Sequence, residues 1–143
     1  MDNKAENLTD YIIRSPRCDG LSGSIDIVPT SDRLAYAELN LTLGWLLKQG
    51  ERDARFLLRR ALHLKGANAA YDIVLLDCPP SLGILMSNAL AAADELLVPI
   101  QCEYFALEGL SKIVDLVERV RESGANADLK IGGIVMTMFD GRT

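Results

Sequence analysis

The segment YDIVLLDCPPSLG, residues 71–83, constrains the fold more than any other stretch of the chain. Residues 73–76 (IVLL) are apolar at every position, which fits a strand covered on both faces, as in a parallel sheet. The run ends on Asp77. A strand that finishes on an aspartate presents its carboxylate at the carboxyl edge of the sheet, where open α/β folds bind their ligands. Such a carboxylate suits a hard cation such as Mg²⁺, which prefers oxygen ligands. By itself, an aspartate at a strand end is more often a turn or helix-capping residue. Pro79 and Pro80 then stiffen the backbone. Residues 81–93, rich in Leu, Met and Ala, read as a helix buried almost all round.

The rest of the chain alternates in the same way. Residues 1–24 have weak periodicity and carry turn signals at Ser15-Pro16 and Asp19-Gly20. Residues 24–29 (SIDIVP) alternate and predict a short strand stopped by Pro29. Thr30, Ser31 and Asp32 cap a helix over 34–48 that Gly50 closes, and a second helix is expected over 52–64. Residues 96–100 and 131–138 predict further apolar strands. Between them, 106–123 carries the clearest helical stripe: Leu107, Leu110, Ile113, Val114, Val117 and Val120. Glu108/Lys112 and Asp115/Arg119 flank it at i,i+4 spacing, and Gly124 is a left-handed cap. Strands alternating with helices across such linkers predict one α/β domain over 1–143, a parallel sheet flanked by helices.

Composition narrows the function classes. Hydrophobic residues make up 49% and charged residues 24%, values of an ordinary folded domain. Its longest apolar runs are far too short to cross a bilayer. The polar start, MDNKAENLTD, does not resemble a secretory signal, so the expected compartment is the cytoplasm. A net charge of −5 opposes binding to a phosphate backbone. The one basic cluster, Arg52, Arg55, Arg59 and Arg60, reads as the solvated face of an amphipathic helix. Three cysteines at wide spacing and a single histidine supply no zinc or iron–sulfur motif.

The words after Asp77 carry a resemblance. DCPPSLG, then SNALAAADELLVPIQCEYFALEGL, then IGGIVMTMFDGRT, resemble the ParA/Soj partition ATPases, members of the deviant-Walker P-loop family. The likeness covers residues 71–143 and extends more weakly to SIDIVPTSDRLAYAEL. It implies a P-loop NTPase-type sheet in which Asp77 is the Walker B aspartate near Mg²⁺. Cys78, Pro79, Pro80 and Ser81 would form the switch that responds to the γ-phosphate of ATP. Asp140 and Arg142 would lie near the base, and Gln101, Glu103 and Tyr104 near the nucleotide or a dimer face. Cys78 and Cys102 read as packing residues. The resemblance further implies a self-dimer, a ParB-like partner that stimulates hydrolysis, and nonspecific DNA binding on the nucleoid by the intact protein.

One part of the family's pattern is missing from these residues. The phosphate loop, KGGxGKT/S, has no match, and the only lysines are Lys4, Lys48, Lys65, Lys112 and Lys130. The family's DxDPQ motif is absent too, although residues 7–11 (NLTDY) resemble the stretch just downstream of it. The expectation is therefore a truncated ATPase domain without the Walker A strand-loop or the C-terminal elements. Removing a single electrostatic stabiliser costs about 2.7–4 kcal/mol of transition-state stabilisation, and here a whole cradle is lacking. ATP hydrolysis by the chain alone is not expected, and residues 73–76 would keep an unpaired apolar edge. Two alternatives accompany this reading: a non-catalytic module that binds full-length ParA or another partner, and a fragment of a related MinD-like ATPase.

Overall fold

The computed structural model describes residues 8–14, 23–31, 33–47, 53–63, 70–79, 81–101 and 106–138. A 3₁₀ turn at Leu8–Tyr11 leads into β1 (Ile13–Arg14), which pairs antiparallel with β2 (Asp26–Ile27). Helices α1 (Arg33–Leu46), α2 (Leu57–His63) and α3 (Ile84–Ala92) come next, and a 3₁₀ turn at Ala54–Phe56 opens α2. The chain then forms β3 (Glu95–Gln101), α4 (Ala106–Glu122) and β4 (Lys130–Thr137).

The β3–α4–β4 unit is the clearest piece of parallel α/β architecture. Gly124 ends the helix in the left-handed region at φ 71, and its N–H donates to Arg121 O at 3.0 Å. A left-handed position of this kind is where glycine avoids a Cβ clash. Lys130 N then donates to Asp94 O at 3.1 Å, and the strands pair in parallel from Glu95↔Lys130 to Gln101↔Thr137. An irregularity between Leu96 and Leu97 takes up one extra residue of β4.

Leu90 of α3, Val117 of α4 and Leu129, just before β4, form the buried centre. Met86, Ala93, Leu96, Leu116 and Val120 pack around it. Two asparagines are buried within this helical layer, and both are satisfied, as buried polar groups must be. Asn88 Oδ1 accepts from Leu58 N at 3.1 Å, and its Nδ2 donates to Ala54 O at 2.7 Å and Ile84 O at 2.9 Å. Asn126 Nδ2 donates to Leu90 O at 2.9 Å and Ala93 O at 2.7 Å.

Several expectations need correction. Residues 73–76 form no ladder with any strand among the described residues; they run as an unpaired segment, with Ile73 77% and Leu75 81% exposed. Apolar character specifies what should be covered, whereas a strand also needs a backbone partner. The strand expected over 24–29 shrinks to Asp26–Ile27, and its pairing is antiparallel. On α4 the packed stripe includes Leu116, whereas Val114 is exposed.

The arginine cluster is only partly a solvated face. Arg55 forms a two-pronged pair with Asp53 and lies over the rings of Trp45 and Phe56, at 5.9 and 5.6 Å from their centroids. Arg59 donates to Ala91 O and Ala125 O, each at 3.4 Å. Arg52 lies outside the described residues.

Among the described residues many large apolar side chains are exposed, including Tyr36, Leu39 and Leu46 on α1 and Ile134, Val135 and Met136 on β4. Among the described residues, no helix is long and apolar enough to cross a membrane.

Candidate functional site

Asp77 sits at the end of the extended 73–76 run, and its side chain is exposed to solvent. The run is tethered at its start, where the Tyr71 hydroxyl donates to Asp26 Oδ2 at 2.8 Å. That hydrogen bond raises the phenol pKa above its usual value, because it stabilises the protonated form beside a carboxylate. Beyond Asp77, Cys78 is half-buried and its Sγ donates to Leu76 O at 3.5 Å. Burial, and secondarily the charge of Asp77, push the Cys78 thiol above its usual pKa. A thiol whose pKa is raised is a weaker nucleophile than a free one. Pro79 is half-buried, Ser81 and Leu82 are exposed, and Gly83 is the N-cap of α3.

These residues can offer a cation one unencumbered carboxylate. Among the described residues no group of three or more His, Cys, Asp or Glu side chains gathers into a metal cage. A lone exposed aspartate still fits Mg²⁺, which is held by one or two carboxylates together with water and substrate phosphates. Lys and Arg are absent from residues 71–83, so this segment brings no positive charge to a phosphate. The nearby recess of about 160 Å³ lined by Leu82, Gly83, Met86, Leu116, Val120 and Arg55 is apolar and too small for a nucleotide.

Other predicted positions are distributed differently. Gln101 closes β3, exposed and paired with Thr137, whose Oγ1 donates to Ile100 O at 3.2 Å. Met138, just past β4, has φ 53, a left-handed conformation that costs a non-glycine residue energy and often marks the edge of a working site. Pro80, Cys102, Glu103, Tyr104, Asp140 and Arg142 lie outside the described residues. The structure therefore brings Gln101 and Thr137 side by side, while Asp77 stands on a segment that pairs with neither strand.

Sequence reasoning missed Asn88, Asn126 and Arg59, which fasten α3 to its surroundings. A signal for Asn88 was available: it is one of two polar residues, with Ser87, in the otherwise apolar helix ILMSNALAA, and such a residue needs a specific partner.

Comparison with known proteins supplies the wider context. A family profile described as an AAA domain matches residues 2–131. The chromosome partitioning protein ParA of Myxococcus xanthus is 48% identical over 118 residues, covering 82% of this chain and 38% of that protein. Treponema pallidum has a chromosome-partitioning ATPase Soj that is 53% identical over 116 residues, 81% of this chain and 42% of its own length. In Bacillus subtilis, the sporulation initiation inhibitor protein Soj is 43% identical over 120 residues, 84% of this chain and 44% of that protein. The chain thus spans less than half the length of these relatives.

Among solved structures, cobyrinic acid a,c-diamide synthase from Mycobacterium smegmatis, with bound ATP analog and magnesium, superposes with TM-score 0.76 at 30% identity. That match covers 96% of this chain and 49% of that one. Apo McdA from Cyanthece, at TM-score 0.69 and 20% identity, covers 91% of this chain and 46% of its own, and shares the fold.

Proposed function

Because the chain belongs to the ParA/Soj family of chromosome-partitioning ATPases, we propose that it carries the magnesium and switch side of a nucleotide site, with Asp77 as the cation ligand. The observation that supports this most is the exposed Asp77 carboxylate at the end of an apolar run, succeeded at once by Cys78, Pro79 and the N-cap of α3. When bound, Mg-ATP would supply the phosphate chemistry. Asp77 would orient the cation through water, and the residues after it would pass the state of the γ-phosphate to α3. Asp140 and Arg142 are proposed near the base.

These 143 residues alone do not hydrolyse ATP in this reading, because they contain no lysine- and glycine-rich phosphate loop. Segregation of DNA with a ParB-like partner, self-dimerisation around nucleotide and cytoplasmic, nucleoid-associated residence are proposed for the intact protein.

A fusion tests the assignment. Placing this chain between the parts of the Myxococcus xanthus ParA that precede and follow its matching region should give Mg-dependent phosphate release. Asp77→Ala in that fusion should lower the rate about 10²–10³-fold. Equal rates with and without the Asp77 carboxylate would refute the assignment. Phosphate release by the 143 residues alone, lost in Asp77→Ala, would refute their inactivity.

A second reading, a non-catalytic module that docks on full-length ParA, draws support from the exposed apolar side chains of Ile73 and Leu75. Co-purification of this chain with a ParA relative, weakened by Leu75→Lys, would favour it.

A further inference from the structure

Helix α3 is fastened unevenly along its length. Its middle is bolted by Asn88 to the backbone of Ala54 and Leu58. Its carboxyl end is held by Asn126 on Leu90 O and Ala93 O and by Arg59 on Ala91 O. At the amino end, nearest in sequence to Asp77, the N-cap is Gly83, which has no side chain with which to cap. The group that fills the space there comes from α1. A Cβ at Gly83 would overlap Glu38 Oε1 and stand 3.1 Å from Glu38 Cδ. Gly83 has φ −96, a conformation open to any residue. The glycine is therefore required for close approach and not for its backbone freedom.

A carboxylate at the amino end of a helix meets the partial positive charge of the first N–H groups, which lack partners within the helix. Glu38 is half-buried, so salt screens this attraction less than at an open surface, yet not completely. The overlap involves the far end of a flexible side chain. A methyl group at Gly83 would therefore push the carboxylate aside without breaking the backbone.

We propose that Glu38 is a positioning residue whose carboxylate, admitted by Gly83, latches α1 onto the first turn of α3. The latch steadies the end of the helix that directly succeeds the Asp77 segment. Among the described residues it is the part of α3's fastening made by a carboxylate, alongside the hydrogen-bonded amides of Asn88 and Asn126 and the guanidinium of Arg59. Its relevance to nucleotide response rests on the reading of Asp77 as the cation ligand; the latch itself does not.

Amide hydrogen exchange on the 143-residue chain tests it without nucleotide. The reporter is the first turn of α3, including Ser87 N–H, which donates to Gly83 O at 3.1 Å. Glu38→Gln, equal in shape but uncharged, should speed exchange there about two- to fivefold, the range of a charge at a helix terminus. The difference from wild type should shrink in about 1 M salt. Gly83→Ala should reproduce the effect with Glu38 intact, and the double variant should go no further than the larger single one. Unchanged exchange in Glu38→Gln, insensitivity to salt, or effects that multiply in the double variant would overturn the latch. Asp77→Ala should leave the reporter unchanged, so failure of the latch and failure of the nucleotide site give different results.

Discussion

Residues 73–76 (IVLL) and 96–100 (LLVPI) are apolar runs of nearly the same character, and they meet opposite fates. The second run lies within β3, pairs along its length with β4, and buries Val98 to 3% exposure. The first pairs with no strand among the described residues and leaves Ile73 and Leu75 largely exposed. The difference lies in the neighbours and not in the runs. β3 has a parallel partner delivered by α4 and a helical layer to cover one face. An apolar run becomes a strand when another backbone satisfies its N–H and C=O groups.

Mutation should divide the chain along the same line. Leu129, fully buried, should cost about 2–5 kcal/mol as Leu129→Ala, since it leaves a cavity between α3, α4 and the sheet. Leu75→Ala, on the unpaired run, should stay within about 0.5 kcal/mol. Urea denaturation monitored by helical circular dichroism measures both. Equal losses would show that residues 73–76 are packed after all. Next comes Asn88→Ala, which strands Leu58 N–H and the carbonyls of Ala54 and Ile84. A loss of about 1–3 kcal/mol is expected, visible as a lower urea midpoint with unchanged slope.

Smaller effects probe the Asp77 segment and the α2 turn. The Cys78 thiol, raised by burial and by Asp77, should react with iodoacetamide at pH 8 more slowly than a free thiol. Asp77→Asn should speed that reaction by removing the charge; an unchanged rate would separate the two side chains. Asp53 should produce the smallest effect. Its hydrogen bonds and charge pairing with Arg55 hold its carboxyl below the usual 3.8. The pair therefore stabilises the fold above that pH and loses its contribution as pH falls through the lower folded value. With side chains 40% and 32% exposed, the contribution stays under about 1 kcal/mol. Comparing wild type with Asp53→Asn should show a larger gap at pH 6 than at pH 3.

Legibility in the sequence obeys the same physics. α4 shows its period over Ala106–Glu122, and β3 and β4 fall within a residue or two of their expected spans. The pairing of β1 with β2 was not legible, because two-residue strands carry no period. The family words around Asp77 and Cys78 carry their proposed role, and their position at the end of an apolar run was readable. Glu38 was not, since on α1 it looks like any exposed helical carboxylate until its approach to Gly83 is seen. Arg55 and Arg59 were read only in part for a related reason: Arg59 is exposed as expected, but only the fold shows the ion pair, ring contacts and capped carbonyls.

The most direct test of the nucleotide reading is a calorimetric titration of Mg-ATP into the 143-residue chain. With the Asp77 carboxylate present and no phosphate loop in the sequence, no saturable binding is expected up to about 1 mM, which corresponds to about 4 kcal/mol. A micromolar dissociation constant that disappears in Asp77→Ala would contradict it, and would show that these residues build a working nucleotide site by themselves.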